Sequence, residues 1–207
     1  VPFVHRSVDV DDKAGDVLVK VVDKSVAAFL EYRNAAAPKA LEAAAQAILQ
    51  TWRQHQRIVF FGAGNSGMVA DDAQHKFFRL GLTSMSCSDG HVQLMNAALL
   101  RRGDCAVVIS NSGLTRDLIA AAELARQAGA TTIAITASNS PLAKACAIHL
   151  AADHPEGYDL YSPMVSRLLH LLIIDVLATC VAPQNAPSVQ QNSKIIKQLL
   201  RSKRYEQ

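Results

Sequence analysis

The sequence lacks the cysteine patterns of disulfide-bonded and zinc-binding proteins. No two of its four cysteines form a C-x-x-C pair, and no cysteine belongs to a paired cysteine and histidine pattern of zinc ligands. Cysteines that lie this far apart are typical of free thiols in a reducing compartment. Their positions are Cys87, Cys105, Cys146 and Cys180. We therefore predict no disulfide and no metal site.

The sequence also lacks a signal-peptide pattern and an uninterrupted apolar run. Its longest apolar segment contains three polar or charged residues, Arg167, His170 and Asp175. An apolar run of membrane-spanning length tolerates few such residues, so we predict no contact with a membrane. Without a signal peptide, the sequence predicts a cytoplasmic protein.

A clustered excess of positive charge is missing as well. Residues 1–56 contain seven basic and seven acidic side chains, and the formal net charge of the whole chain is only +3. Five basic residues near the end suit a solvated terminal helix: Lys194, Lys197, Arg201, Lys203 and Arg204. A protein surface that binds DNA normally needs a clustered positive face. This chain is therefore a poor candidate for direct DNA binding.

What the sequence does contain is a regular alternation of strands and helices. With 207 residues, half of them hydrophobic, it is long enough for one sizeable core. Five apolar segments have strand character: Arg57–Phe61, Thr83–Cys87, Cys105–Ile109, Thr131–Thr136 and Cys146–Leu150. Strands that alternate with helices form a parallel sheet covered on both faces. We predict an α/β fold, a three-layer α-β-α sandwich with a five-stranded parallel sheet.

Extra helices are predicted at both ends of this unit. Apolar residues at helical spacing indicate helices over Lys13–Tyr32 and from Pro38 to about His55. Ser162 and Pro163 are suited to begin a nearly all-apolar helix that ends near Val181, and an amphipathic helix with Ile195 and Leu199 closes the chain. We expect the apolar helix to be buried, in the domain or between subunits.

The loop after the third strand carries the strongest functional signal. Ser110, Asn111, Ser112, Gly113 and Thr115 follow Cys105–Ile109 and precede a helix. The first turn of a helix has unpaired N–H groups and a partial positive charge, so added hydroxyls form a cradle for a phosphate. The alternative is an ordinary helix cap. Three hydroxyls exceed what one cap needs, which favours a ligand.

The loop after the first strand supports two interpretations. Gly62, Gly64 and Gly67 fit the G-x-G-x-x-G pattern of dinucleotide-binding folds, and Asp89 follows the second strand, where a ribose-binding acid is expected. Spacing alone therefore leaves NAD open. However, Asn65 and Ser66 can bind a ligand themselves, and neighbouring parallel strands end on one crevice. We therefore favour one small phosphorylated molecule held by both loops, without a cofactor.

These loops resemble a known family. Gly64-Asn-Ser66 and Ser110-Asn-Ser-Gly-Leu-Thr115 are similar to the signature loops of the sugar isomerase (SIS) domain, a five-stranded α/β fold that binds phosphosugars. Four more segments resemble the RpiR-type transcriptional regulators, in particular the hexose regulators among them: Asp72–Arg79, Ser140–Ala143, Tyr161–Arg167 and Ile174–Leu177. Such regulators carry a helix-turn-helix domain ahead of the SIS domain. On this resemblance we expect residues 1–12 to be a linker from a missing DNA-binding domain and residues 13–207 to be the effector domain.

The resemblance also implies a ligand and the residues that hold it. For hexose regulators the implied effector is 2-keto-3-deoxy-6-phosphogluconate, whose binding relieves repression, and DNA is bound only through the missing domain. The predicted ligand-binding residues are Gly64, Asn65, Ser66, Ser110, Asn111, Ser112, Gly113, Thr115 and Asp175. Some relatives are implied to be fused behind a sugar kinase.

An aldose–ketose isomerase acting on a sugar phosphate is the alternative function. Isomerisation needs a carboxylate or histidine that moves a proton between adjacent carbons. Asp175 lies near the position where isomerases of this fold carry a catalytic acid, and His75, His154 and Glu156 are further candidates. No pair among them has a spacing that demands acid and base roles. We predict binding without turnover, by a homodimer or homotetramer whose outer helices bury their apolar surface.

Overall fold

The computed structural model describes residues 8–154 and 164–201, and its centre is a five-stranded parallel sheet. The strand order is β2-β1-β3-β4-β5. The strands are β1 (Ile58–Gly62), β2 (Ser84–Cys87), β3 (Cys105–Ile109), β4 (Thr131–Thr136) and β5 (Ile148–Ala151). All four strand pairs are parallel, which confirms the predicted sheet.

Eight helices accompany the sheet within the described residues. They are α1 (Ala14–Ala35), α2 (Pro38–Arg53), α3 (Asn65–Leu80), α4 (Gly90–Ala98), α5 (Arg116–Gln127), α6 (Pro141–Ala145), α7 (Val165–Val181) and α8 (Ala186–Arg201). A short 3₁₀ helix, Ala182–Asn185, separates α7 from α8. Ser162 and Pro163, the predicted start of α7, lie outside the described residues.

Two hydrophobic clusters lie on opposite faces of the sheet. Ile58 and Phe60 of β1 face the larger cluster, where α2, α3 and α7 pack, and the rings of Phe60 and Phe77 are stacked 5.4 Å apart. Val59 and Phe61 face the smaller cluster, which contains residues of α4, α5 and α6. Successive strand residues point to opposite faces, so an apolar run such as β1 is buried on both. The three-layer α-β-α prediction is confirmed.

The apolar helix α7 is a core helix of this domain. Leu169, Ile173 and Leu177 are buried in the larger cluster. In the part of the chain that the structure describes, one helical stretch is nevertheless long and apolar enough to cross a membrane, Val165–Arg201. Half of its most apolar part is buried inside the domain. Buried core helices meet the same criterion, so this stretch is only weak evidence of a membrane span.

Asp175 departs from the expected burial of α7. Its side chain is 56% exposed and forms an ion pair with Lys76 of α3. The helix therefore has a solvent-facing side despite its many Leu and Ile residues. The carboxylate of Asp175 therefore has a structural partner in Lys76, and within a single chain this side of α7 is exposed.

Candidate functional site

The carboxyl ends of β1 and β3 lie side by side and open on one cleft. Gly62 and Ile109, the last residues of the two strands, are paired in register. The loops that follow therefore meet at the same edge of the sheet, as the sequence predicts. The cleft measures about 210 Å³, and its lining comprises Ala63, Asn65, Ser66, Ser110, Asn111, Ser112, Thr115, Leu118, Ser166, Arg167 and His170.

Two glycines allow the tight turn from β1 into α3 that forms one side of the cleft. A Cβ atom on Gly62 would lie 2.2 Å from the carbonyl oxygen of Ser66, so only glycine lets α3 begin directly against β1. Gly64 has a φ of +55°, a backbone conformation that favours glycine. Behind the loop, the buried Gln93 side-chain amide donates to the carbonyl of Gly62 at 2.8 Å and to that of Cys87 at 3.0 Å. The Gln93 side chain therefore holds the start of the loop in place, and Ser66 lines the cleft.

The second loop is held by its own hydroxyls. Ser110 is only 5% exposed, and its Oγ accepts a hydrogen bond from the Gly113 N–H at 3.1 Å. The Ser112 Oγ accepts from the Leu114 N–H at 3.3 Å. Each hydroxyl that accepts a backbone hydrogen bond still has its own proton to donate. Ser110 and Ser112 can therefore shape the loop and donate to an anion at the same time.

Thr115 discriminates between the two interpretations of this loop. It is the residue that precedes α5, but its side chain forms no capping hydrogen bond. An ordinary cap would use that hydroxyl for a backbone N–H of the first turn. Instead, the Thr115 side chain lines the cleft, beside the N-terminus of α5, where the helix dipole favours an anion.

The wall of the cleft opposite the two loops comes from α7, and the sequence alone did not predict it. Ser166 and His170 are 6% and 1% exposed, respectively, and Arg167 is partly exposed. In the described part of the chain, the Arg167 guanidinium has no hydrogen bond or ion pair with a protein group. No carboxylate is among the described lining residues. Helix N-termini and one arginine therefore make this cleft electropositive.

The structure brings most of the predicted ligand-binding residues together. Six of them line the cleft: Asn65, Ser66, Ser110, Asn111, Ser112 and Thr115. Gly64 and Gly113 shape the two loops from within, both with positive φ. Asp175 does not line the cleft and is engaged with Lys76 instead.

The residues weighed for other chemistry lie elsewhere. His75 lines a separate groove between α3 and α8, and His154 is not among the cleft residues. Glu156 lies outside the described residues. Asp89, the candidate ribose-binding acid, instead caps α4 by accepting a hydrogen bond from the Val92 N–H at 3.0 Å. Its carboxylate therefore has a structural partner, which weakens the dinucleotide interpretation.

Comparison with known proteins identifies the family of this chain. Residues 52–180 match the family model of the SIS domain. The chain is 35% identical to the HTH-type transcriptional regulator HexR of Escherichia coli, over 99% of this chain and 70% of that protein. It is 41% identical to the bifunctional protein glk of Burkholderia orbicola over 90% of its length, but spans only 28% of that protein.

Solved structures share the fold. The Vibrio vulnificus NanR protein complexed with ManNAc-6P has a TM-score of 0.78 and 26% identity, over 91% of this chain and 71% of that one. Phosphoheptose isomerase GmhA of Neisseria gonorrhoeae has a TM-score of 0.69 at 20% identity, over 82% and 98% of the two chains. The second likeness shows the fold alone. Because the family model covers more than half of the chain and HexR aligns over nearly all of it, this chain belongs to the SIS-domain family, among its RpiR-type and HexR-like transcriptional regulators.

Proposed function

We propose that this chain is the effector-sensing domain of a regulator of sugar breakdown and that its cleft binds a phosphorylated sugar acid, 2-keto-3-deoxy-6-phosphogluconate. One observation carries the proposal: the hydroxyls of Ser66, Ser110, Ser112 and Thr115 line a single cleft at two helix N-termini. Such a donor set suits a phosphate dianion. The structural relative NanR of Vibrio vulnificus is complexed with ManNAc-6P, which supports the ligand class.

The proposed mechanism begins with the phosphate in the hydroxyl cradle. The carbon chain of the ligand then extends toward α7, where Ser166, Arg167 and His170 form the opposite wall. A ligand changes DNA affinity only if it binds the two affinity states differently. We propose that binding relieves repression through a helix-turn-helix domain joined by residues 1–12, in a cytoplasmic homodimer or homotetramer.

Calorimetric titration of the purified chain tests this proposal. We expect 2-keto-3-deoxy-6-phosphogluconate to bind at micromolar concentrations and fructose 6-phosphate to bind at least tenfold more weakly, a difference of about 1.4 kcal/mol. The unphosphorylated 2-keto-3-deoxygluconate should give no heat. Equal binding with and without the phosphate would contradict the proposed cradle.

A phosphosugar isomerase is the second candidate, and His170 is the observation that favours it. This histidine is buried in the cleft and is a side-chain type that can move a proton. Against it, the described lining holds no carboxylate to share acid and base roles. Incubation with a panel of aldose and ketose phosphates, followed by NMR, separates the two functions. Our proposal expects every substrate to be recovered unchanged, and measurable isomerisation would contradict it.

A further inference from the structure

We propose that Arg167 selects ligands that carry a carboxylate in addition to the phosphate. This inference rests on the proposed function, since it assigns the distal end of the same ligand. The residue stands on α7, whereas the phosphate cradle is built from the loops after β1 and β3. The cleft therefore has two chemically different walls, one of hydroxyls and one with a permanent positive charge.

The phosphate does not need Arg167. Four hydroxyls and the N-termini of α3 and α5 already face the cradle. These groups supply enough hydrogen bonds and partial positive charge for one dianion. The guanidinium on the other wall is therefore available for a second anionic group on the same molecule.

The position of Arg167 is fixed by its neighbours in the helix. Val165, Ser166 and Leu169 are each at most 6% exposed, so the backbone around Arg167 is anchored in the core. Within the described residues its guanidinium has no protein partner, and no lining carboxylate competes for it. Arginine stays charged at every physiological pH, and its planar fork matches a carboxylate with two parallel hydrogen bonds.

Such an arrangement predicts discrimination between acids and neutral sugars. A phosphorylated sugar acid gains a charge-assisted pair with Arg167. When a neutral sugar phosphate binds, the partly exposed guanidinium of Arg167 stays hydrated and gains no such pair. Charge-assisted hydrogen bonds of this kind correspond to about a 10- to 100-fold difference in affinity.

Titration with a matched pair of ligands tests the inference. The probes are 6-phosphogluconate and glucitol 6-phosphate, which differ only in a carboxylate or a hydroxymethyl group at C1. We expect Arg167→Gln to weaken 6-phosphogluconate about 10- to 100-fold and glucitol 6-phosphate less than twofold. Arg167→Lys, which keeps the charge without the fork, should give an intermediate loss. Arg53→Gln removes an exposed charge at the end of α2 and should change neither affinity.

The outcomes of this titration distinguish a failure of the Arg167 inference from a failure of the proposed phosphate binding. An equal loss for both probes would mean that Arg167 contacts the phosphate, and unchanged affinity for both would mean that it contacts neither; each result overturns the inference while the phosphate cradle stands. A wild-type chain that binds no phosphorylated compound would overturn both. Unaltered thermal melting of the variants shows that any loss is local, and Arg167→Lys supplies the comparison if Arg167→Gln fails to fold.

Discussion

At the scale of single residues, the cleft depends on side chains that are small as much as on those that are polar. Gly113 has a φ of +65°, and a Cβ at this position would lie 2.3 Å from the Ser140 Oγ and 2.6 Å from the Thr136 Oγ1. Its carbonyl also accepts a hydrogen bond from the Leu142 N–H at 3.2 Å. The loop after β3 therefore packs against the loop that follows β4. This contact fixes the positions of Ser110 and Ser112.

Gly113→Ala should therefore damage both stability and binding. Left-handed strain and the contacts with Ser140 and Thr136 should lower the free energy of unfolding by about 1–3 kcal/mol. Urea denaturation measures this loss, and calorimetry should show weaker binding of the phosphorylated ligand. Gly15→Ala is the control, because nothing lies within 4 Å of its Cβ position in α1. That change should stabilise the chain by roughly 0.5–1 kcal/mol. Equal stability of the two variants would show that the loop does not need glycine.

Residue types alone predicted one wall of the site and missed the other. Ser110, Ser112 and Thr115 could be assigned because a polar loop between a buried strand and a helix has one fixed place in a parallel sheet. Ser166, Arg167 and His170 could not, because their approach to the cleft depends on how α7 crosses the sheet. Asp175 lies outside the cleft, and its place depends on the same packing, because an apolar composition does not show which side of a helix is exposed.

At the scale of elements, burial explains why two of the four cysteines are unreactive thiols. Cys105 begins β3 and is fully buried, and Cys146, also buried, follows the last residue of α6 just before β5. Burial raises the pKa of both thiols to about 12, from an ordinary value of 9.0. The four cysteines are free thiols, as predicted from their spacing. The strand bounds of β3 and β4 were predicted correctly because β-branched and apolar runs end at polar residues. In contrast, β5 starts two residues later than expected because Cys146 caps the end of α6, where its N–H donates to the Leu142 carbonyl at 3.3 Å.

The raised pKa values predict two measurable consequences. At pH 8, only about one in ten thousand of the Cys105 and Cys146 thiols is ionised, so iodoacetamide should modify the exposed Cys180 and leave these two intact. Peptide mass spectrometry identifies the modified sites, and all four should react once the chain is unfolded. Rapid native labelling of Cys105 would contradict its burial.

Stability should also decline as the solution becomes alkaline. Between pH 9 and pH 12 the unfolded chain loses thiol protons that the folded chain retains, so unfolding becomes more favourable. The contribution of these thiols is fully present below pH 9 and is lost as the pH rises toward 12. Urea denaturation from pH 8 to pH 10 should show a decline that is smaller in Cys146→Ala. An identical slope in that variant would argue against the raised pKa of this thiol.

At the scale of the whole molecule, the domain leaves apolar side chains uncovered on its outer helices. Leu18, Val19 and Val22 of α1 are exposed, as are Ile195 and Leu199 of α8. Contiguous exposed apolar surface on a globular protein commonly marks an interface. The proposed homodimer or homotetramer would cover these helices, while the core clusters on either side of the sheet already complete the fold within one chain.

Replacing Leu199, which is 70% exposed, with lysine should weaken self-association at micromolar concentrations, because a charged side chain would have to be desolvated in the interface. Analytical ultracentrifugation should show a shift of the average mass toward the monomer. Met95→Lys is the control, since Met95 is similarly exposed but lies on α4. A wild-type chain that is monomeric at all concentrations would contradict the proposed assembly.

The central claim is that the loops after β1 and β3 together hold a phosphate group. Calorimetric titration of the Ser110→Ala and Ser112→Ala double variant with 2-keto-3-deoxy-6-phosphogluconate tests it most directly. Loss of two donors to a dianion should weaken binding by at least about 100-fold, and circular dichroism should show a folded chain. Binding as tight as that of the wild type would contradict the account.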